Sequence, residues 1–388
     1  GPGRCGHPRV GPRFRVMFSI RGDVKDYDWG ILDGLTPWTQ DSSGAPQAEL
    51  WFGVHPSGPS PIDAVVHEGE TASPTENLAD HLTREQAPVL AKILAAGRPL
   101  SVQVHPNARE AKRMWDQQQI AGPTVLADAY EKAEVLVALE PFDAFVGWRP
   151  TSDAAEVIER VDGLALAAAA LHAEDRVAAI QLIHEQQLQA QAFVAQLPEA
   201  IDRANDAGSM TRVMSEAEIA AYRQAAENFP ADIGVLMTPL LDFVTLLPGD
   251  AVYLAPGIPH SYVRGIGFEV MTSSDNVLRL GLTNKPVFVD RALDILDFDA
   301  DPQFIHGSAS IAPVGADFRL EVVTAGSAPL AAGEYRLVVA IAGGVVVAVD
   351  GQTRKAAQGS GVVVTAGEPD AVVAAQGMAI AVMAPAAP

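Results

Sequence analysis

The stretch Pro99-Leu100-Ser101-Val102-Gln103-Val104-His105-Pro106 limits the possible folds of this chain more than any other. Its polar side chains alternate with Leu100, Val102 and Val104, the period of a half-buried strand, so Ser101, Gln103 and His105 share one face. The prolines confine the strand to this segment. Polar groups withdrawn from water need partners, so such a face lines a site for a metal or a polar ligand. The fold must bring further polar groups to it.

At 388 residues the chain exceeds one ordinary domain, and two or three units sharing core are expected. With 27 basic against 48 acidic residues, the formal charge of -21 argues against general binding to nucleic acid or anionic membranes. An anionic substrate then requires a local cluster of Arg and Lys. No apolar run reaches the roughly 18 residues of a membrane helix, so the chain reads as soluble. Cys5 is the only cysteine, which rules out an intrachain disulfide and a Cys-based zinc site and points to a reducing, cytoplasmic setting. Residues 1–16, rich in Gly, Pro and Arg without an apolar core, read as a tag or a disordered extension.

Residues 17–61 are turn-rich and aromatic, as in a β-rich unit, with Glu49 and His55 read as core and turn residues. Residues 75–97 read as a helix, a break at Pro88 and a second short helix ending at Gly97, from which Lys92 would snorkel to solvent. Residues 107–118 and 151–228 carry helical spacing. An N-cap is expected at Thr151-Ser152-Asp153 and a capping box at Ser215 to Glu218. Val177, Ile180, Ile183, Leu188 and Phe193 would form one stripe, and His172 and His184 read as surface histidines. Between these helical stretches, Glu131, Lys132 and Glu134 lead into a buried strand, Val135 to Leu139.

From Asp242 strands return, and the turn Pro256-Gly257-Ile258-Pro259 presents His260 ahead of a short strand, Ser261 to Val263. Arg279 lies in an apolar run and needs an anionic partner, either Glu269 or Asp275 or a ligand. Residues 310–388 alternate small apolar strands with Gly turns and read as a second, structural barrel or sandwich. Gln103, His105 and His260, with a carboxylate from Glu131, Glu134 or Glu269, suit a divalent, zinc-like ion with an open coordination position.

Four segments resemble the type I phosphomannose isomerases from about Met17 to the C-terminus: Tyr27-Asp28-Trp29-Gly30, Ala48 to Pro56, Ala91-Lys92-Ile93-Leu94 leading to Pro99 through Asn107, and Ser274-Asp275-Asn276 through Lys285. The resemblance implies a mainly β fold with an α-helical insertion: two cupin-type (jelly-roll) β-barrels plus a helical domain. Residues 17–106 and 235–305 would form the catalytic barrel, 107–234 the helical insertion with strand 133–148 returning to the barrel, and 306–388 the second barrel. One zinc ion per chain would be held by Gln103, His105, Glu134 and His260. Arg279 would be catalytic, with Lys132, Glu131 and Glu269 the candidates for proton transfer. Ser101, Lys92, Lys285 and Asp275 would contact the substrate. The implied activity interconverts mannose 6-phosphate and fructose 6-phosphate through an enediol, in a cytoplasmic monomer whose partner is the sugar phosphate. One motif departs from the family. Glu131 stands where a His is typical, so a catalytically impaired sugar-phosphate-binding cupin is the alternative.

Overall fold

The computed structural model describes residues 17–63 and 75–388, and the expected extension at 1–16 lies outside them. The described chain is mostly β, in an 11-stranded sheet, an 8-stranded sheet and a two-stranded pair. The 11-stranded sheet is organised by one 13-residue strand, His260–Thr272. Its second half pairs with Val89–Ala96 on one side and Glu134–Ala138 on the other. Its first residues pair instead with Phe142–Trp148 and, at His260, with Gln103. The expected short strand at 261–263 therefore continues well past Val263. It does so through Gly265, whose φ of +136° suits glycine and where a Cβ would lie 2.7 Å from the Pro141 carbonyl oxygen.

Val89–Ala96 is a strand, not the expected second helix. Its eight residues are all buried, so no hydrophobic period was available to separate the two states, and pairing on both sides overrides the helix propensity of Ala, Leu and Lys. Ahead of it, only a short 3-10 turn forms at Leu78–Asp80. The regular part of the opening stretch shrinks to Val102–Val104. Its alternation holds: Val102 and Val104 pack into the core formed with the helices, leaving Gln103 on the opposite face.

Apart from short helices at Thr36–Thr39 and Val289–Leu293, the α-helices run from Ala108–Ile120 to Glu216–Asn228, interrupted by the strands Glu134–Ala138 and Phe142–Trp148. Asn107 and Glu110 form a capping box at the first of them. The helix Thr151–Ile158 has no side-chain cap; Asp153 instead accepts from the Thr211 amide and hydroxyl. Ser215 caps Glu216–Asn228, but the Glu218 carboxylate turns to Arg149 and Arg212 and the reciprocal half of the box is not made. Of the expected stripe, Ile180, Ile183 and Phe193 are buried in one core, but Val177 is exposed and Leu188, in a 3-10 turn at Gln187–Gln189, is fully exposed. His172 is exposed beside Glu159, whereas His184 is largely withdrawn, and burial pushes its imidazole down to about 4.

The 8-stranded sheet comprises the strands from Ser310 to Ala384 together with Met17–Arg21, which pairs with Ser360–Val364. A single core joins the two large sheets, with Phe52, Ile93, Val137 and Phe268 from one meeting Leu337, Val339 and Ile380 from the other.

Candidate metal centre and substrate cavity

Three neighbouring strands put His260, Gln103 and Arg279 in one cross-strand row, since Gln103 is in register with His260 on one side and Arg279 on the other. Glu134, at the start of its own strand, reaches the same point. Its Oε1 lies 2.8 Å from His260 Nε2 and its Oε2 lies 3.5 Å from His105 Nε2. All three residues are almost completely buried.

The protons on the two imidazoles are placed by what their other nitrogens touch. His105 Nδ1 is 2.9 Å from the Asn276 carbonyl oxygen and His260 Nδ1 is 3.0 Å from that of Ile258. A carbonyl only accepts, so each Nδ1 carries the hydrogen and each Nε2 presents a lone pair. Burial first, and then the Lys132 ammonium, pushes the His105 imidazole down to about 3, so that ring is neutral. Two lone pairs therefore face a carboxylate, and His105 Nε2, His260 Nε2 and Glu134 Oε2 make no hydrogen bond. Buried acceptors crowded together require something positive between them. The candidate ligand atoms lie within 4.8 Å of one another, and this donor set fits a divalent cation.

The centre opens on a cavity of about 700 Å³. Ser101, Gln103, Lys92, Lys132, Glu134, Glu269, Asp275, Arg279 and Lys285 all line it. Glu131 does not: burial, followed by the Asp317 charge, pushes its carboxyl up against the opposing Ala108 amide. Lys132 Nζ lies 3.4 Å from Glu134 Oε2. Burial alone would raise the Glu134 carboxyl, but Lys132 and then His105 outweigh it and hold the group well below the usual range.

Lys92 is buried instead of snorkelling. Its ammonium lies 3.5 Å from Glu49 and 3.7 Å from Glu269, over the Trp51 ring at 4.8 Å. Burial opposes its charge, but Glu49 and Glu269 prevail and its pKa is raised. Tyr262 donates its hydroxyl hydrogen toward Glu269 at 3.1 Å and Glu134 at 3.3 Å. Burial, then Glu134, pushes the Glu269 carboxyl up to about 7 against the pull of Lys92 and Lys132. The expected pairing of Glu269 or Asp275 with Arg279 does not form. Asp275 accepts from His55 at 2.8 Å, and that hydrogen bond lowers its pKa. Among the described residues no carboxylate forms an ion pair with Arg279 or Lys285. They are close enough that Arg279, more than burial, lowers the Lys285 pKa.

Glu49, Trp51 and Tyr262 line the cavity, as do Asn228 and Phe229 at the C-terminal end of the helix Glu216–Asn228; the sequence reading gave none of them a place there. Glu49 in an apolar strand and Lys92 in another are the signal that was available, since two opposite charges in buried runs need each other.

Residues 17–151 match the family model for the catalytic domain of type I phosphomannose isomerase. The mannose-6-phosphate isomerase of Schizosaccharomyces pombe is 32% identical over 298 residues, covering 69% of this chain and 70% of that protein. That of Escherichia coli is 30% identical over 307 residues, covering 74% and 76%. A crystal structure of a mutant phosphomannose isomerase from Salmonella typhimurium superposes with a TM-score of 0.79 at 26% identity, covering 95% of this chain and 99% of that one. A zinc-bound mannose 6-phosphate isomerase structure superposes at 0.77 and 26% identity, covering 95% and 99%. Fold, site and relatives together define an aldose–ketose isomerase. The chain belongs to the type I phosphomannose isomerase family, that of the mannose-6-phosphate isomerases.

Proposed function

We propose that the chain is a zinc-dependent isomerase interconverting D-mannose 6-phosphate and D-fructose 6-phosphate through an enediol. The observation that carries this reading is the cluster of acceptors without hydrogen bonds on His105, Glu134 and His260 at the end of a cavity that also holds Arg279 and Lys285. Gln103 would complete the ligand set. Zinc, when bound, supplies electrostatic stabilisation of the sugar oxygens at C1 and C2. Two cations without carboxylate partners, Arg279 and Lys285, suit the phosphate and the developing oxyanion, with Arg279 the nearer to the metal ligands through its register with Gln103. Lys92 is neutralised by Glu49 and Glu269, so its part is to organise those carboxylates, not to bind phosphate.

Isomerisation removes the proton on C2 of the aldose and returns one to C1, while the hydroxyl proton passes in the same sense, from the C2 oxygen to the C1 oxygen. Glu269 is the group we assign to the carbon-bound proton, because it lines the cavity with its carboxyl held near neutrality. Lys132 would exchange the proton on the sugar oxygens beside Glu134. Glu131 does not line the cavity, and its replacement of the usual His leaves this assignment intact.

The same reading takes the two large sheets as cupin-type barrels and residues 107–234 as a helical insertion, with one zinc per chain in a cytoplasmic monomer. The mostly β content and the run of helices between Ala108 and Asn228 support it. Among the described residues no helix is long and apolar enough to cross a membrane.

A coupled assay for fructose 6-phosphate, run with and without a chelator, tests the function. Turnover that is lost on chelation and restored by zinc is the expected result. Absence of turnover in zinc-replete protein overturns it in favour of a binding protein. Arg279→Ala is expected to abolish turnover with zinc content unchanged, and near-normal kcat in that variant removes Arg279 from the mechanism.

A further inference from the structure

Asn276 is completely buried and touches neither the cavity nor, through its side chain, any metal ligand. Its amide is nevertheless fully used. Oδ1 accepts from the Ala127 and Asp128 amides at 2.9 and 3.2 Å. Nδ2 donates to the Asp128 carbonyl at 2.9 Å, to Asp128 Oδ1 at 3.0 Å and to the Tyr130 carbonyl at 2.7 Å. Donors on one side and acceptors on the other fix the orientation of the amide uniquely. Asp128 returns the contact, accepting from the Ser274 hydroxyl at 2.9 Å and the Asp275 amide at 3.1 Å.

Two loops are tied together by these bonds, and each leads directly into the metal centre. The 127–130 loop runs into Lys132 and Glu134. The 274–276 loop contributes the Asn276 carbonyl oxygen that receives His105 Nδ1–H, and it runs on into Arg279. That carbonyl decides which imidazole nitrogen is free to bind a cation, and its position is set by where the Asn276 side chain is anchored.

We propose that Asn276 is a positioning residue that sets the distance between His105 and Glu134, acting through its carbonyl on one ligand and through the Asp128–Tyr130 backbone on the other. This rests on the metal reading given above. Asn276→Asp keeps the shape and the backbone carbonyl but turns an oxygen toward three acceptors, so the loops must separate.

The test is zinc affinity by chelator competition, together with the visible spectrum of the cobalt(II)-substituted protein, for the wild type and for Asn276→Asp. Loss of a ligand's supporting partner weakens metal binding by about 10- to 100-fold, and that loss is expected here with a wild-type circular dichroism spectrum and an altered cobalt band. Zinc affinity within threefold of wild type and an identical cobalt spectrum overturn the proposal. Should Asn276→Asp not fold, Asp128→Asn carries the same test, because it keeps an acceptor for Asn276 but loses one oxygen of the carboxylate that holds Ser274 and Asp275. Weak zinc binding by the wild type overturns the metal reading and this inference together, whereas tight wild-type binding with unchanged variants overturns only the inference.

Discussion

Lys92 decides the charge of the cavity floor. Without it, Glu49 and Glu269 are two buried carboxylates with no cation between them. Lys92→Met is expected to cost about 3–5 kcal/mol of stability, the usual penalty for stranding a buried charge, measured by chemical denaturation. The same substitution bears on the base. Glu269 works ionised, so activity falls as pH drops through its pKa, which rises from 4.5 to about 7 with no cation on Glu134. A divalent ion there neutralises the carboxylate that repels it, so the acid limb of kcat/KM in zinc-loaded enzyme is expected between those values. Lys92→Met moves that limb upward, because Lys92 lowers the pKa. An unmoved limb in a folded, zinc-loaded variant removes Glu269 as base. For stability the sign is opposite to that of an ordinary paired carboxylate. A pKa raised on folding means the Glu269 contribution is fully present below 4.5 and is lost as pH rises through about 7. Much of the centre was legible in the sequence. Alternation exposed Gln103 and His105, and the proline-bounded turn exposed His260. Lys92 was misread because its partners are supplied by strand register, which local sequence does not contain.

At the scale of elements, the helix Glu216–Asn228 links the helical region to the cavity. Its Glu218 is completely buried, ion-paired with Arg149 of the loop after strand Phe142–Trp148, and it accepts from Tyr222 at 3.1 Å. Its last residue, Asn228, and the capping residue Phe229 form part of the cavity wall. Glu218→Ala strands the Arg149 guanidinium in the core and is expected to cost about 3–5 kcal/mol, while Glu218→Gln, which still accepts, costs less. Equal and small losses in guanidinium titrations of the two variants argue that the pair contributes little. Helix existence here was readable from composition, but helix phase was not. The expected stripe failed at Val177 and at Leu188, the latter lying in a 3-10 turn that points it to solvent, and the Ser215 box failed because Glu218 had a stronger partner in Arg149.

The whole molecule behaves as one cooperative body if the core shared by its two large sheets dominates. Met17–Arg21 begins the described chain inside the 8-stranded sheet, and the next strand, Asp23–Lys25, already lies in the 11-stranded one. Trp38, in the short helix Thr36–Thr39, donates to the Ile341 carbonyl of the 8-stranded sheet at 2.9 Å. Separating the sheets would uncover Phe52, Ile93 and Phe268 on one side and Leu337, Val339 and Ile380 on the other, and burying a large apolar side chain contributes about 1.5–3 kcal/mol each. Six such groups come to about 9–18 kcal/mol, as large as the whole margin by which a domain is normally stable, about 5–15 kcal/mol, so neither sheet is expected to persist once the other unfolds. The tryptophans allow a direct check, because Trp29, Trp38, Trp51, Trp115 and Trp148 all precede the C-terminal strands. Tryptophan fluorescence reports mainly on the 11-stranded sheet and the helices, and far-UV circular dichroism on the entire chain. Coincident guanidinium transitions by the two probes are the expected outcome, moving together to higher denaturant when zinc is added. A fluorescence transition that responds to zinc while a separate dichroism phase does not means that the C-terminal sheet folds independently of the metal centre.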